Sequence, residues 1–153
     1  MTRMLFTEDG EPVFLQPDLV EPCTVFKHHN DIVPPQIHTD RSTATLFTDP
    51  HLQTVLPPYH RITLPLGMHI QLQAGTVGYI SGLPTLANNL GICIAPLHVR
   101  SGVPIKITIF NFGTVDFQIF GAMKIAELAV VHVSPLTLLR LQDTTSYTSP
   151  ILQ

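Results

Sequence analysis

An all-β sandwich or barrel is the fold class this sequence predicts, on three observations. The run Ile62 to Gln73 is apolar at every even position from 62 to 72 and polar or backbone-breaking at every odd one, a period of two that belongs to a half-buried strand. The run Pro104 to Phe112 is apolar at 105, 107 and 109 in the same manner. The 14 prolines and 9 glycines are spread along the chain rather than clustered, and punctuation at intervals of roughly ten residues is the mark of many short strands.

In chain order, residues 1–40 read as an extended arm, because Glu11-Pro12, Gln16-Pro17, Glu21-Pro22 and Pro34-Pro35 each oppose helix at the preceding residue. Short strands are expected there at Pro12 to Leu15 and Cys23 to Phe26. Thr43 to Thr48 is a strand closed by a turn at Asp49-Pro50, and Gln53 to Leu56 is another, stopped by Pro57-Pro58. After the long strand 62–73 come a Gly-rich turn at 74–78, a strand at Gly78 to Ser81, one helical turn at Thr85 to Asn89 ending at Gly91, and a strand at Ile92 to Ile94. His98 to Gly102 has the composition of a turn. Pro104 to Phe112 and Val115 to Ile119 read as strands joined in a hairpin through Phe112-Gly113-Thr114. Ala126 to Val133 is more continuously apolar, which predicts a last core strand covered on both faces. The expected organisation is thus an arm over 1–40, a barrel over 41–135 and an irregular tail over 136–153.

Composition narrows the function classes. At 153 residues the chain is one domain, long enough to bury about two-thirds of its unfolded surface. An apolar share of 44 % beside 12 % charged residues leaves few charges to cover a small monomer, and self-association is the natural remedy. A net charge of −3 without a basic stripe argues against nucleic acid as partner. No apolar run reaches spanning length and Met1 to Glu8 meets acid too early for a signal peptide, so no membrane insertion and an intracellular site are expected. Cys23 and Cys93 stand far apart with no metal-type neighbours and read as two buried thiols.

Several constellations invite chemistry and yield to simpler readings. His28, His29, Asp31, His38 and Asp40 carry donor types suited to a transition metal, but adjacent histidines diverge on an extended chain and no cysteine lies at ligand spacing. Surface positions are expected for them, and exposure for His69 and His132 on the polar phases of strands. Ser81 and Ser101 lack a nucleophile elbow, and the glycines at 75, 78, 82 and 91 do not fit a phosphate loop. His98 and Arg100 could serve as an acid/base and phosphate pair; a solvated loop is the plainer account.

Ile109-Phe110-Asn111-Phe112-Gly113 is similar to the Leu-Phe-Asn-His/Phe strand of the trimeric dUTPase family, and Lys124-Ile125-Ala126-Glu127-Leu128 resembles its Arg-Ile-Ala-Gln-Leu motif. With their spacing, and Gly-Leu-Pro-Thr-Leu-Ala between, the resemblance covers residues 42–134. It implies a distorted jelly-roll-like β-barrel, a homotrimer with sites between subunits, and hydrolysis of dUTP to dUMP and pyrophosphate with Mg²⁺ and an activated water.

The positions that should perform this chemistry depart from the family pattern. Thr45 stands where the resemblance implies a metal-holding acid, and Asp49 comes four residues late. Leu83 and Pro84 replace the phosphate-binding Arg and Ser. Ala95 to Gly102, with His98, Arg100 and Ser101, holds neither the water-orienting Asp nor the Tyr that closes on deoxyribose. Glu127 replaces Gln, and Thr144 to Ser149 lacks the glycines of a closing arm. The expectation is therefore a dUTPase-like protein without catalysis or cofactor, resembling the dUTPase-related early proteins of adenoviruses, which look like barrels kept as docking surfaces for host proteins. Because the sequence ends in Gln153, a PDZ ligand is not carried over. Two alternatives stand beside it: an active Mg-dependent dUTP diphosphatase using Asp49, His98, Arg100, Asp116 and Glu127, and a structural jelly-roll protein.

Overall fold

The computed structural model describes residues 4–6, 12–14, 23–40, 42–133 and 142. Two short strands, β1 (Met4–Phe6) and β2 (Pro12–Phe14), pair antiparallel with each other. The strands that follow are β3 (Thr24–Lys27), β4 (Gln36–Ile37), β5 (Thr43–Phe47), β6 (Thr54–Leu56), β7 (Arg61–Pro65), β8 (Met68–Gln71) and β9 (Thr76–Gly82). The helix α1 (Pro84–Leu90) comes next, then β10 (Ile92–Ile94), β11 (Leu97–Val99), β12 (Lys106–Asn111), β13 (Phe117–Ile119) and β14 (Lys124–His132). The largest sheet has the order β11-β9-β14-β5-β4, a three-stranded sheet runs β10-β12-β7, and β13-β6 and β3-β8 are antiparallel pairs.

These sheets enclose one core, in which Leu46, Leu66, Met68, Ile70, Ile80, Ile107, Ile109, Ile119 and Ile125 are all fully buried. The alternation that predicted strands also points these side chains inward: Leu64, Leu66, Met68 and Ile70 are buried in sequence along one phase. The chain nevertheless breaks in the middle of the predicted strand 62–73. Gly67 adopts φ +70°, so that β7 pairs with β12 and β8 pairs with β3 in a different sheet. A Cβ on Gly67 would meet Ile32 Cδ1 at 2.6 Å, and Ile32 belongs to the core. Periodicity survived the bend because a left-handed glycine turns the chain without moving the apolar phase to the other side.

Five further expectations are corrected. The segment 112–114 is not a hairpin turn: β12 pairs with β10 and β7, whereas β13 pairs with β6. The last strand among the described residues, β14, is not covered on both faces in this chain, for Val130, Val131 and His132 are exposed. Its start is doubly apolar for another reason, a register shift between Lys124 and Ala126 that brings the consecutive Ile125 and Ala126 into the core, as a bulge does. Leu97 to Val99, read partly as turn, is the edge strand β11. Cys23 and Cys93 are unpaired and half-buried rather than buried, and His69 is half-buried, stacked on Phe26 at 5.0 Å.

The expected helical turn is present as α1, with Pro84 opening it and Gly91 at φ 69° closing it. Gly91 meets the loop after β12 so closely that a Cβ would lie 2.7 Å from Gly113 N. The segment 23–40 supplies β3, β4 and Ile32 to the same body. The tail expected from residue 136 lies outside the described residues except for position 142. Among the described residues no helix is long and apolar enough to cross a membrane.

Candidate functional site

The outward face of the five-stranded sheet holds three of the positions the sequence singled out, Thr45, His98 and Glu127. In an antiparallel ladder, directly opposed residues share a face, and the register places Gln36 opposite Thr45, Thr45 opposite Glu127, and Glu127 opposite Ser81. Two residues along, Ala129 opposes Tyr79 and Tyr79 opposes His98. Thr45 is only 5 % exposed, although its neighbours Ala44 and Leu46 point into the core on the opposite side. It is covered from outside by His38, whose Nε2 lies 2.9 Å from Thr45 Oγ1 and 3.9 Å from Glu127 Oε1. The loop that brings His38 there is short and self-tied. His38 N donates to Thr43 O at 3.0 Å, and Ser42 N donates to Asp40 Oδ1 at 3.0 Å. That backbone bond, with the Ser42 side chain and then His38 behind it, holds the Asp40 carboxyl below its ordinary value.

The other predicted positions disperse. Asp49 Oδ1 accepts from His51 N at 2.9 Å, a turn-building contact just past β5. Asp116 is exposed immediately before β13, on a different sheet. Leu83 is the N-cap of α1 without a side-chain cap bond and Pro84 is its first residue, so this helix start lacks both a hydroxyl and one amide donor. Ser101 Oγ accepts from Leu72 N at 2.9 Å. Asp31 pairs with the His51 ring, and its carboxyl is held low by its own backbone amide and by that ring. His28 Nε2 lies 3.0 Å from His69 Nδ1.

His98 and Arg100 instead stand together at the edge of the sheet. The Tyr79 ring meets the His98 ring edge-on with centroids 4.5 Å apart. Residues 97–100 and 103–106, including Lys106, line an open recess of about 530 Å³. His98 and Thr45 share a face but are separated by three strand spacings, roughly 14 Å. The structure thus unites Thr45 with Glu127, and His98 with Arg100, as two neighbouring groups rather than one.

Sequence reasoning weighed His38 only as a metal donor expected at the surface, not as the cover of Thr45, and it missed Lys106. His38 sits in a segment with no periodicity, and the only signal was the Asp40-x-Ser42 turn, which could have been read as a hairpin bringing His38 back over Thr45.

The donor set around Thr45 does not suit a hard divalent ion. One threonine hydroxyl already engaged by an imidazole, that imidazole, and a single carboxylate across it are poor company for Mg²⁺, which takes oxygen ligands with at least one carboxylate directed at it. Among the described residues no group of three or more His, Cys, Asp or Glu side chains could hold a metal ion.

A dUTPase family model matches residues 50–149. The chain belongs to the dUTPase family. That match begins after β5, so it includes Leu83, His98, Arg100 and Glu127 but not Thr45. The fold is similar to a mutant of the Staphylococcus bacteriophage 80alpha dUTPase with dUpNHpp, at 14 % identity and TM-score 0.71 over 80 % of this chain and 97 % of that one. It is likewise similar to a mutant dUTPase of phage phi11 of S. aureus in which a structural Mg(II) ion is coordinated, at 14 % identity and TM-score 0.70 over the same shares. A second structure of the phi11 dUTPase, showing its species-specific insert, gives 15 % identity and TM-score 0.70 over 82 % of this chain and 99 % of that one. No curated protein matches the chain in sequence. The dUTPase fold is therefore retained at very low identity.

Proposed function

We propose that this protein is a non-catalytic member of the dUTPase family, of viral type, that assembles as a homotrimer and serves as an interaction scaffold for host proteins. One observation supports the reading: Thr45, which the resemblance sets in place of the family's metal-holding acid, is buried and covered by His38 at 2.9 Å. The place is filled with a neutral hydroxyl already engaged by an imidazole, and the one carboxylate beside it, Glu127, faces that imidazole at 3.9 Å. Removing one group that meets developing charge typically costs about 3 kcal/mol of transition-state stabilisation. Here the two carboxylates, the guanidinium fork and the Gly-rich arm of the resemblance are all replaced. Even with strong non-additivity, little acceleration would survive.

The alternative of a working diphosphatase draws on Asp49, His98, Arg100, Asp116 and Glu127, and their dispersal counts against it. Asp49 is engaged in the 49–52 turn, and Asp116 precedes a strand outside the five-stranded sheet. Incubation of the purified protein with Mg²⁺ and dUTP, read as pyrophosphate release, is expected to match the protein-free blank. Turnover above that blank that disappears in Asp49→Ala or His98→Ala would overturn the proposal.

A further inference from the structure

The geometry points to the free edge of β11 as a docking site for an extended acidic segment of a partner protein, added as a sixth strand to the five-stranded sheet. This deepens the non-catalytic reading and rests on it. Three independent features meet there. β11 is a terminal strand of the sheet, so among the described residues one side of its backbone has no ladder partner, and such an edge is a template for another strand. The recess beside it contains His98, Arg100 and Lys106 and no acidic residue. In a chain whose net charge is −3, this is a local reversal of sign. Neither Arg100 nor Lys106 makes an ion pair among the described residues, where the only such contacts are those of His38 and His51.

The side-chain pattern of the edge specifies the guest. His98 points to the outer face of β11 while Leu97 and Val99 fall on the other, and Arg100, exposed just past the strand's end, lines the same recess as His98. Val99 and Ile105 are buried against the core and Val103 is half exposed at the rim, so the inner side of the recess is apolar. A guest strand must then place carboxylates on the side of His98 and Arg100 and aliphatic side chains on the side of Val103. Its backbone would supply affinity and the alternating charges would fix which face it turns to His98 and Arg100. Tyr79, edge-on to His98, braces that ring at the outer surface.

The test uses a capped, fluorescein-labelled peptide alternating glutamate with valine, titrated with the full-length protein and followed by fluorescence anisotropy. Saturable binding is expected, weakened at least tenfold by Arg100→Glu with Lys106→Glu and also by the milder Arg100→Gln with Lys106→Gln. Circular dichroism and thermal melting establish that both variants fold. The same peptide with lysine in place of glutamate, and one N-methylated along its backbone, should each bind at least tenfold more weakly. Absence of saturable binding, unchanged affinity in folded charge variants, or equal binding of the lysine peptide would overturn the proposal. So would loss of peptide binding only as the protein self-associates, which would assign the edge to a second copy of this chain. Pyrophosphate release from dUTP, measured on the same preparation, separates the two failures. An inactive protein that ignores the peptide refutes the docking site alone, whereas turnover refutes the non-catalytic reading itself.

Discussion

Asn111 is 1 % exposed and has every polar atom of its amide engaged. Its Nδ2 donates to Leu56 O and to Val115 O, each at 2.9 Å, and its Oδ1 accepts from Gly113 N at 2.9 Å. The side chain therefore ties β12 to the end of β6 and to the loop that leads into β13. Replacing it strands two carbonyls and one amide, the Leu56 carbonyl in a buried contact and the other two in part-buried ones, and a buried unpaired group costs about 1–3 kcal/mol. Asn111→Ala is expected to lower unfolding stability by about 2–4 kcal/mol, seen as a drop in the urea midpoint with little change in slope. Asn111→Asp keeps the acceptor for Gly113 but turns a negative charge toward two carbonyl oxygens, and should lose more than the alanine variant; a smaller loss would refute this account. The inward direction of Asn111 was legible, because it continues the phase of Ile105, Ile107 and Ile109. The cover over Thr45 was not. A hydrogen bond between His38 and Thr45 depends on a two-residue strand, β4, whose pairing is tertiary and leaves no pattern in so short a run.

At the scale of elements, alternation reported which side chains face the core and was silent on which strand lies beside which. The run 62–73 shows both halves of that statement. Its even positions are buried or half-buried throughout, yet it is two strands in two sheets, because Gly67 reverses the sign of φ between them. The same gap explains the hairpin expected at 112–114: two alternating runs in succession look alike whether they pair together or, as here, with β10, β7 and β6. Gly67→Ala tests the bend. A left-handed conformation costs a residue with a Cβ about 1–2 kcal/mol, and the added carbon would meet Ile32 Cδ1 at 2.6 Å, the end of a side chain that can shift. A loss of about 1–3 kcal/mol in chemical denaturation is expected, the upper part of that range reflecting the displaced Ile32. Restoration of part of it by combining Gly67→Ala with the smaller Ile32→Val would separate the clash from the backbone strain, and an unaltered midpoint in Gly67→Ala would show that the bend is unstrained.

For the whole molecule, the family was readable from Ile109 to Gly113 and Lys124 to Leu128 because both lie where packing is most demanding. Asn111, Ile125 and Ala126 are buried pieces of the same core, so these motifs record architecture and speak less directly to catalysis. Architecture also bears on assembly. Only 12 % of the residues are charged, and exposed apolar side chains gather toward the end of β14, where Val130, Val131 and Val133 lie in the open. On the outward face of the sheet the register adds Val77 opposite Val131 and Tyr79 opposite Ala129. A contiguous apolar surface on a protein with few charges is normally covered by association. A homotrimer covering the end of β14 would make that strand apolar for a reason the single chain does not supply, and would account for the near-continuous apolar run from Ala126 to Val133. Sedimentation equilibrium at micromolar concentration should then report a mass three times that of the 16.9 kDa chain. Val131→Lys, which buries a cation in the proposed contact but adds only a solvated one to the single chain, should shift the distribution toward monomer while leaving the far-ultraviolet circular dichroism unchanged. A wild-type protein that sediments as a single chain across that range would remove the assembly from the proposal, and the exposed end of β14 would then be available to other partners.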